Sequence, residues 1–395
     1  MRPLASRMAV MTGEGALSVY ARAKELEREG RSIIHLELGE PDFHPAPAVN
    51  QALKQALDDG KDRYCAVAGI APLREAIADY LSTTRRLKIS PDNIVVAPGC
   101  KLSLFMAMMA LIDPGDEVLY PDPGFPGYPS IALGLGGVAV PFELSERNRF
   151  QPDPDEIARK ITSRTKILIT NSPGNPTGTV YSDETQRRLA ELAVKHDLLV
   201  LSDEIYARVI YGEKHISMMS YPGMEERTLI IDGFSKSFAM TGWRLGYTVA
   251  PPRIVPAIAM LAVNSYTCVA EFTQYAAIEA LKDREGMTSR MVGDFVERHD
   301  RFVSDLNRVS GFRCVPPAGA FYAWVNIEET GISAEELCRI MLEEASVAAI
   351  PGAAFGVAGT KFVRFSFASS TAILQEAVQR IQRVSSAWEH TAVVR

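Results

Sequence analysis

A primary amine and a guanidinium occur close together in the segment DGFSKSFAMTGWRLGY, which follows an apolar stretch predicted to be a strand. The amine belongs to Lys236 and the guanidinium to Arg244, and the hydroxyl of Ser235 is beside the lysine. A lysine amine can form a covalent bond to an aldehyde, and an arginine can bind a phosphate through two parallel hydrogen bonds. Each residue alone also fits an ordinary role, because a lysine suits a surface loop and Arg244 can stack on Trp243.

Three more polar side chains follow other predicted strands. Asp203 ends the apolar run LLVLSD, Tyr206 comes three residues later, and Asn175 lies in the turn NSPGNPTG. A carboxylate can pair with a protonated ring nitrogen, and a phenol or an amide can donate a hydrogen bond to a phenolic oxygen. The ordinary alternatives are an N-cap for Asp203 and a tight turn around Asn175, whose bond to Pro176 is a candidate for the cis isomer.

The segment APGCKLSLF, at residues 97–105, is predicted to be a strand end, a glycine turn and a helix start. Amides in the first turn of a helix attract anions, so those of Cys100 and Lys101, after Gly99, are candidates for a phosphate site. An ordinary turn between strand and helix is the alternative. Together these groups meet the needs of pyridoxal phosphate (PLP), which are a lysine for a Schiff base, a carboxylate for the ring nitrogen and donors for the phosphate.

The elements that must position these groups are predicted from short apolar runs that alternate with helical stretches. The runs occupy residues 93–99, 117–123, 137–142, 165–171, 197–203, 228–233 and 245–250. This alternation predicts an α/β fold with a mostly parallel seven-stranded sheet flanked by helices, in which ligands bind at the carboxyl ends of the strands. We predict a large PLP-binding domain at residues 46–285 and a smaller α+β domain formed by residues 1–45 and 286–395.

Composition argues against several other classes of protein. The 395 residues include 42 Lys and Arg against 48 Asp and Glu, a net charge of −6, without the clustered positive charge that nucleic-acid binding requires. Five cysteines without a Cys-x-x-Cys pair predict a reduced protein that has neither disulfides nor a metal site. The longest apolar run, around residues 104–112, is too short to cross a membrane, and no signal peptide is evident, so we expect a cytoplasmic protein.

Eight segments resemble, in order, the motifs of the class I/II aminotransferases, the aspartate-aminotransferase-like enzymes of PLP fold type I. They are LELGEPDF (36–43), YCAVAGIAPLREAIA (64–78), NSPGNPTG (171–178), SDEIY (202–206), SKSFAMTGWRLGY (235–247), GAFYAW (319–324), IPGAAFG (350–356) and VRFSFA (363–368). The resemblance extends from about residue 10 to the carboxyl terminus. Each motif is weak alone, but eight in this order are specific.

The resemblance implies a role for each candidate residue. Lys236 would form the Schiff base and move the proton, and Arg364 would grip the substrate carboxylate with help from Gly39 and Asn175. Phe125, in the segment PDPGFPGY, would lie on the cofactor ring, and the Asp122–Pro123 bond ahead of it is a candidate for the cis isomer. The family also forms homodimers with shared active sites, in which Tyr64 would reach the phosphate of the partner subunit. The other implied roles are the ring nitrogen (Asp203), the phenolic oxygen (Tyr206 and Asn175) and the phosphate (Ser235, Arg244 and the amides of Cys100 and Lys101).

The implied activity is ping-pong transfer of an amino group from an amino acid to a 2-oxo acid through the Lys236 Schiff base. A cysteine-conjugate β-lyase of the same fold is the alternative within PLP chemistry. A PLP-binding regulator is an alternative from another class. It would need a basic helix-turn-helix segment, whereas residues 1–35 contain one predicted helix.

The chain departs from the family pattern at a few positions. Gly233 stands where the family often has a serine, and Cys100 where small or hydroxylated residues are common. The segment at residues 14–16, Glu-Gly-Ala, lacks the hydroxyl-bearing pattern of the bacterial aspartate-using relatives. Lys101, in contrast, resembles the lysine that those relatives use toward an acidic side chain. These two cues disagree, so the preference for or against dicarboxylic substrates is left open.

Overall fold

The apolar runs of the sequence become strands in a computed structural model of the chain, which describes residues 3–283, 286–385 and 388. The strands are β1 (Ile34–His35), β2 (Ile94–Ala97), β3 (Glu117–Asp122), β4 (Val138–Glu143), β5 (Thr165–Asn171), β6 (Leu199–Asp203), β7 (Thr228–Gly233), β8 (Gly246–Val249), β9 (Arg313–Cys314), β10 (Tyr322–Asn326), β11 (Val347–Ala348), β12 (Ile350–Pro351) and β13 (Phe362–Ser366). All the runs predicted between residues 93 and 250 are therefore strands.

Seven of these strands form one sheet in the order β2-β8-β7-β6-β5-β3-β4. The neighbouring pairs are parallel except those of β8, which is antiparallel to both β2 and β7. Every residue of β2 and of β7 is buried, as expected for strands that helices cover on both faces. The predicted α/β fold with a mostly parallel seven-stranded sheet is confirmed.

The α-helices of the described residues pack around the sheets. They are α1 (Gly15–Arg28), α2 (Pro47–Asp58), α3 (Ala71–Arg85), α4 (Cys100–Leu111), α5 (Gly127–Gly134), α6 (Pro154–Lys160), α7 (Asp183–Lys195), α8 (Val255–Ser265), α9 (Glu271–Lys282), α10 (Gly286–Leu306), α11 (Ala334–Glu343) and α12 (Thr371–Val384). In α7, Ser182 caps the first turn by accepting from the Thr185 amide, and Leu189, Ala190 and Ala193 bury one face. Among the described residues, no helix combines the length and apolar character of a membrane span.

A second, antiparallel sheet has the order β12-β13-β10-β9, and β1 pairs with β11 in parallel beside it. All five residues of β10 and all five of β13 are buried, within a core to which α10 and α12 also contribute. Near β11, Ala23 and Leu26 of α1 pack against Leu342 and Ala348. The first helix therefore lies with elements from the carboxyl-terminal part of the chain.

Both main sheets contribute to one cavity. β6 ends at Asp203 and β7 leads to Lys236, while β13 of the second sheet supplies Arg364 to the same cavity. The division into a domain at 46–285 and another at 1–45 plus 286–395 remains a prediction. Its boundary at residue 285 and the termini at residues 1 and 395 lie outside the described residues.

Candidate active site

The cavity has a volume of about 330 Å³ and lies at the carboxyl ends of β5, β6 and β7. This is the edge of an open α/β sheet at which ligands bind. Most of the predicted site residues line it, namely Gly39, Cys100, Lys101, Phe125, Asn175, Asp203, Tyr206, Ser235, Lys236, Arg244 and Arg364. Gly99 lies against Arg244 just outside this lining, whereas Tyr64 is 86% exposed and does not line the cavity.

Lys236 extends into the cavity from the segment after β7. Its Nζ donates a hydrogen bond to the backbone oxygen of Gly39 at 2.5 Å and lies 5.9 Å from the ring centroid of Phe321. Gly39 has no space for a side chain, because a Cβ atom there would lie 2.0 Å from the Tyr322 hydroxyl. In this arrangement a side chain at position 39 would collide with Tyr322, so glycine suits the position whose backbone oxygen binds the Lys236 amine.

Asp203 is the last residue of β6 and is buried around its carboxyl group. Oδ2 accepts a hydrogen bond from the Tyr128 hydroxyl at 2.7 Å, and Oδ1 accepts from the Ile205 amide at 3.3 Å. Burial raises the pKa of Asp203 to about 6 despite these hydrogen bonds. No lysine, arginine or histidine among the described residues forms an ion pair with it, so a cationic ligand atom would favour the ionised carboxylate.

Asn175 and Tyr206 are held by hydrogen bonds that connect neighbouring strand ends. The backbone N–H of Asn175 donates to Asn171 Oδ1 at 2.8 Å, and Asn171 Nδ2 donates to the backbone oxygen of Asp203 at 3.1 Å. The Tyr206 and Tyr322 hydroxyls are 2.7 Å apart. The predicted cis isomers of the Asn175–Pro176 and Asp122–Pro123 bonds are confirmed, and Ser172–Pro173 is cis as well.

The start of α4 and Arg244 form a cradle for an anion. Gly99, before the first turn, has a φ of +89° and no side-chain cap, so the first amides of the helix stay available to a ligand. A Cβ atom on Gly99 would lie 2.5 Å from Nη2 of Arg244, so glycine is required for the guanidinium to reach this position. Nη1 of Arg244 donates to the Thr241 backbone oxygen at 2.9 Å. The positive charge of Arg244 therefore lies beside the free amides at the start of α4, an arrangement that suits an anion.

Gly233 lies against both Cys100 and the backbone of the next strand. A Cβ atom on Gly233 would lie 2.8 Å from Sγ of Cys100 and 2.7 Å from Cα of Gly246. A side chain at position 233 would therefore crowd both this cysteine and the backbone of the neighbouring strand β8. Burial raises the pKa of the Cys100 thiol well above its ordinary value, so the residue fills space as a neutral group.

Arg364, in the middle of β13, is a buried cation whose hydrogen-bond partners are neutral oxygens. Nη1 donates to Asn175 Oδ1 at 2.9 Å and Nη2 to the backbone oxygen of Glu37 at 2.6 Å, while Nε has no partner. The guanidinium carbon lies 4.3 Å from the ring centroid of Tyr322 and 4.8 Å from that of Phe355. Burial lowers the pKa of Arg364. A buried charge with neutral partners favours the binding of an anion.

Sequence reasoning assigned no role to two tyrosines that line this cavity. Tyr128 donates to Asp203, and Tyr322 contacts both Tyr206 and the face of the Arg364 guanidinium. Both lie in segments already singled out, PDPGFPGY and GAFYAW. Each contacts a partner far away in the sequence, 75 residues for Tyr128 and 116 residues for Tyr322, so the motif alone does not reveal its partner.

Known proteins resemble this chain over nearly its whole length. Residues 31–381 match the family "Aminotransferase class I and II". The aspartate/prephenate aminotransferase of Thermus thermophilus is 39% identical and covers 97% of this chain and 99% of its own length. The solved structure of aspartate aminotransferase from Thermus thermophilus with maleate has a TM-score of 0.93 at 37% identity, covering 97% and 100% of the two chains. That of the aromatic aminotransferase from Pyrococcus horikoshii has a TM-score of 0.88 at 38% identity, covering 93% and 99%.

The cavity fits the cofactor of this family. It contains an amine, a buried carboxyl group without a cationic partner, and an anion cradle between a helix start and an arginine. These are the groups that PLP requires for its carbonyl carbon, its ring nitrogen and its phosphate. Because the family match spans most of the sequence and the fold is the same, the chain belongs to the class I and II aminotransferases and is a PLP-dependent aminotransferase.

Proposed function

We propose that this cavity is the active site of amino transfer and that Lys236, Asp203 and Tyr206 are its catalytic residues. One observation carries the proposal. An amine, a buried carboxyl group without a cationic partner and a buried guanidinium with neutral partners face one cavity. These groups match the cofactor carbonyl, the cofactor ring nitrogen and the substrate carboxylate.

The catalytic residues act on protons and charge. When bound, PLP supplies a carbonyl carbon that takes up the amino group and a ring that withdraws electrons from the reacting carbon. With PLP bound, Lys236 Nζ would remove the proton from the substrate α-carbon and return it at the cofactor carbon. Asp203 keeps the ring nitrogen protonated, because a neighbouring anion stabilises the charged form. Tyr206 and Asn175 donate hydrogen bonds to the phenolic oxygen.

Arg244, Ser235 and the amides of Cys100 and Lys101 would hold the phosphate of PLP, and Phe125 would lie on the cofactor ring. A substitution at Gly99 tests the phosphate site, since a side chain there would displace the Arg244 guanidinium. We expect Gly99→Ala to raise the Kd for PLP about ten- to a hundredfold, the value of a lost hydrogen bond to a charged group. Titration of the apoprotein with PLP, followed by absorbance, measures this.

The matched control for this experiment is Gly115→Ala. Gly115 also has a positive φ, +92°, but nothing lies within 4 Å of the position that a Cβ atom would take there. Both variants are expected to lose about 1–3 kcal/mol of stability from backbone strain. Only Gly99→Ala is expected to bind PLP more weakly. Equal affinities in the two variants would contradict the proposed cradle.

Arg364 binds the α-carboxylate of the substrate, with help from Gly39 and Asn175. We expect Arg364→Gln to raise KM for the amino acid about ten- to a hundredfold, because a charge-assisted hydrogen bond contributes about 1.5–3 kcal/mol. Arg364→Lys keeps the charge but loses the two-pronged geometry, so it is expected to recover part of the loss. Steady-state kinetics measure both variants, and the absorbance of bound PLP checks that the site is intact. A wild-type KM in Arg364→Gln would overturn this role.

The proposed active site is tested directly by adding single amino acids, without a 2-oxo acid, to the purified PLP-loaded protein. We expect a change in the absorbance of the bound cofactor and one equivalent of the matching 2-oxo acid, since ping-pong transfer proceeds in two separable halves. Catalytic release of pyruvate and ammonia from a cysteine conjugate, without half-transfer from any amino acid, would favour a β-lyase instead. No response to any substrate would refute the site.

We also propose a cytoplasmic homodimer with shared active sites. Two observations support this proposal. The five cysteines are free thiols, as expected in a reducing compartment. Tyr64 is 86% exposed and does not line its own cavity, as expected of a residue that serves the partner subunit. Light scattering of the PLP-loaded protein measures the assembly, and a monomeric mass at working concentration would contradict it.

A further inference from the structure

An ion pair in the lining of the cavity joins two distant segments. Glu14, the residue before α1, pairs its Oε1 with Nζ of Lys101 in the first turn of α4, 87 residues away in the sequence. Both side chains line the cavity. The Glu14 side chain is 28% exposed and that of Lys101 is 58% exposed, so the pair faces both the cavity and solvent.

The other cations of the cavity already have tasks if the proposed active site is correct. Lys236 and Arg244 serve the cofactor, and Arg364 serves the α-carboxylate. Among the described residues that line the cavity, Lys101 is then the remaining lysine or arginine that a second substrate carboxylate could reach. Glu14 compensates the charge of Lys101. The negative charge of Glu14 also opposes part of the lowering that burial causes in the pKa of Arg364.

The surroundings of the pair are largely apolar. Ala16 and Leu17 at the start of α1, and Ala354 and Phe355 from the second half of the chain, line the same cavity. Lys101 Nζ lies 5.8 Å from the ring centroid of Phe125, which covers the cofactor in the proposed site. A substrate side chain that reaches this region therefore meets apolar side chains as well as the ion pair.

We propose that the Glu14–Lys101 pair makes this enzyme select amino acids with uncharged side chains over dicarboxylic ones. The inference rests on the proposed active site. A second carboxylate would be repelled by Glu14 and would have to displace it to reach Lys101. A cationic side chain would be repelled by Lys101 and would have to displace it to reach Glu14. An uncharged side chain leaves the pair intact and gains apolar contacts.

Half-transfer from single amino acids to the PLP-loaded enzyme measures the selectivity. For the wild type, we expect leucine or phenylalanine to react with at least about a tenfold higher kcat/KM than aspartate or glutamate. Glu14→Gln removes the competing carboxylate and frees Lys101. It is expected to raise the ratio of dicarboxylic to uncharged kcat/KM about ten- to a hundredfold, the value of one hydrogen bond to a charged group.

A binding measurement gives a second readout that does not depend on turnover. Succinate and butanoate have the same number of carbons but differ by one carboxylate. By calorimetry, the ratio of the Kd for succinate to that for butanoate is expected to fall at least about tenfold in Glu14→Gln. Lys101→Gln is expected to move the ratio the other way, because it leaves Glu14 without its cation.

Glu343→Gln is the matched control, because it removes a glutamate from an exposed ion pair with Arg22 on the same helix α1. Its selectivity is expected to equal that of the wild type. A wild type that prefers dicarboxylic amino acids, or a Glu14→Gln ratio equal to that of Glu343→Gln, would overturn the selectivity proposal alone. Failure of half-transfer with every amino acid would overturn the proposed active site, and the selectivity proposal with it.

Discussion

Lys236→Ala is expected to lower kcat by about three orders of magnitude or more. The substitution removes the amine that moves the proton between substrate and cofactor, and a positioned acid–base group alone contributes about 10²- to 10⁴-fold. The other lysine among the described residues that line the cavity, Lys101, does not replace it. The amino group of Lys101 lies in an ion pair with Glu14, whereas the amino group of Lys236 contacts Gly39. Steady-state assays with several amino acids measure the loss.

Lys282→Ala serves as the control for this experiment. Lys282 is a lysine at the end of α9, 67% exposed in its side chain and paired with Glu279. Its replacement is expected to leave kcat unchanged within about twofold. Circular dichroism of both variants checks the fold. If Lys236→Ala retained a tenth of the wild-type kcat, the assignment of this lysine would be wrong.

The second large effect is expected behind the cavity, in a buried cluster of charges. Arg85, the last residue of α3, donates from Nη1 to Glu204 Oε2 at 2.7 Å and from Nη2 to Asp232 Oδ2. Glu204 also accepts from Ser217 Oγ at 2.7 Å and contacts His215 Nε2 at 3.0 Å. Glu204 follows Asp203 directly in the chain, so this cluster supports the strand end that carries the buried carboxyl group.

Arg85→Met is expected to lower the free energy of unfolding by about 3–5 kcal/mol, because it removes the guanidinium that the buried carboxylates of Glu204 and Asp232 share. Urea denaturation monitored by circular dichroism measures this change. Arg188→Met is the control, since Arg188 pairs with Asp155 at the surface and its side chain is 43% exposed. Loss of an exposed pair of this kind costs about 0–1 kcal/mol. Equal stabilities of the two variants would contradict the role of the cluster.

The same cluster predicts how the stability difference varies with pH. Burial alone would raise the pKa of Glu204, but Arg85 and His215 outweigh burial and lower the pKa to about 2. A carboxyl group with a lowered folded-state pKa stabilises the fold above its ordinary pKa of 4.5 and loses that contribution as the pH falls toward 2. The difference between wild type and Arg85→Met is therefore expected to be largest near neutral pH and to shrink as the pH falls, because acid protonates the buried carboxyl groups first in Arg85→Met and only toward pH 2 at Glu204 of the wild type.

The main sheet could be predicted from sequence because its strands are short, apolar and separated by helical stretches. The run at residues 228–233 is buried at every position and has the predicted bounds. The order of the strands was not predictable in the same way. β8 follows β7 in the chain but lies between β7 and β2, antiparallel to both, and this pairing depends on tertiary packing rather than on local pattern.

The site was predictable where chemistry follows directly from a strand end. Lys236, Asp203 and Asn175 each carry the expected functional group just after an apolar run, and all three line the cavity. The contacts that tune these groups were not predictable, because they join distant segments. The Tyr128 hydroxyl on Asp203 and the Glu14 carboxylate on Lys101 bridge 75 and 87 residues. A local sequence pattern does not indicate contacts between residues that far apart in the chain.

The construction of the cavity from two sheets has an evolutionary consequence. The residues proposed to hold the cofactor follow strands of the seven-stranded sheet, whereas Arg364 lies on the antiparallel sheet and Glu14 precedes α1. Under the proposed selectivity, a substitution at position 14 changes the accepted substrate while the residues proposed to hold the cofactor stay the same. Substrate preference in such an enzyme can then evolve separately from its chemistry.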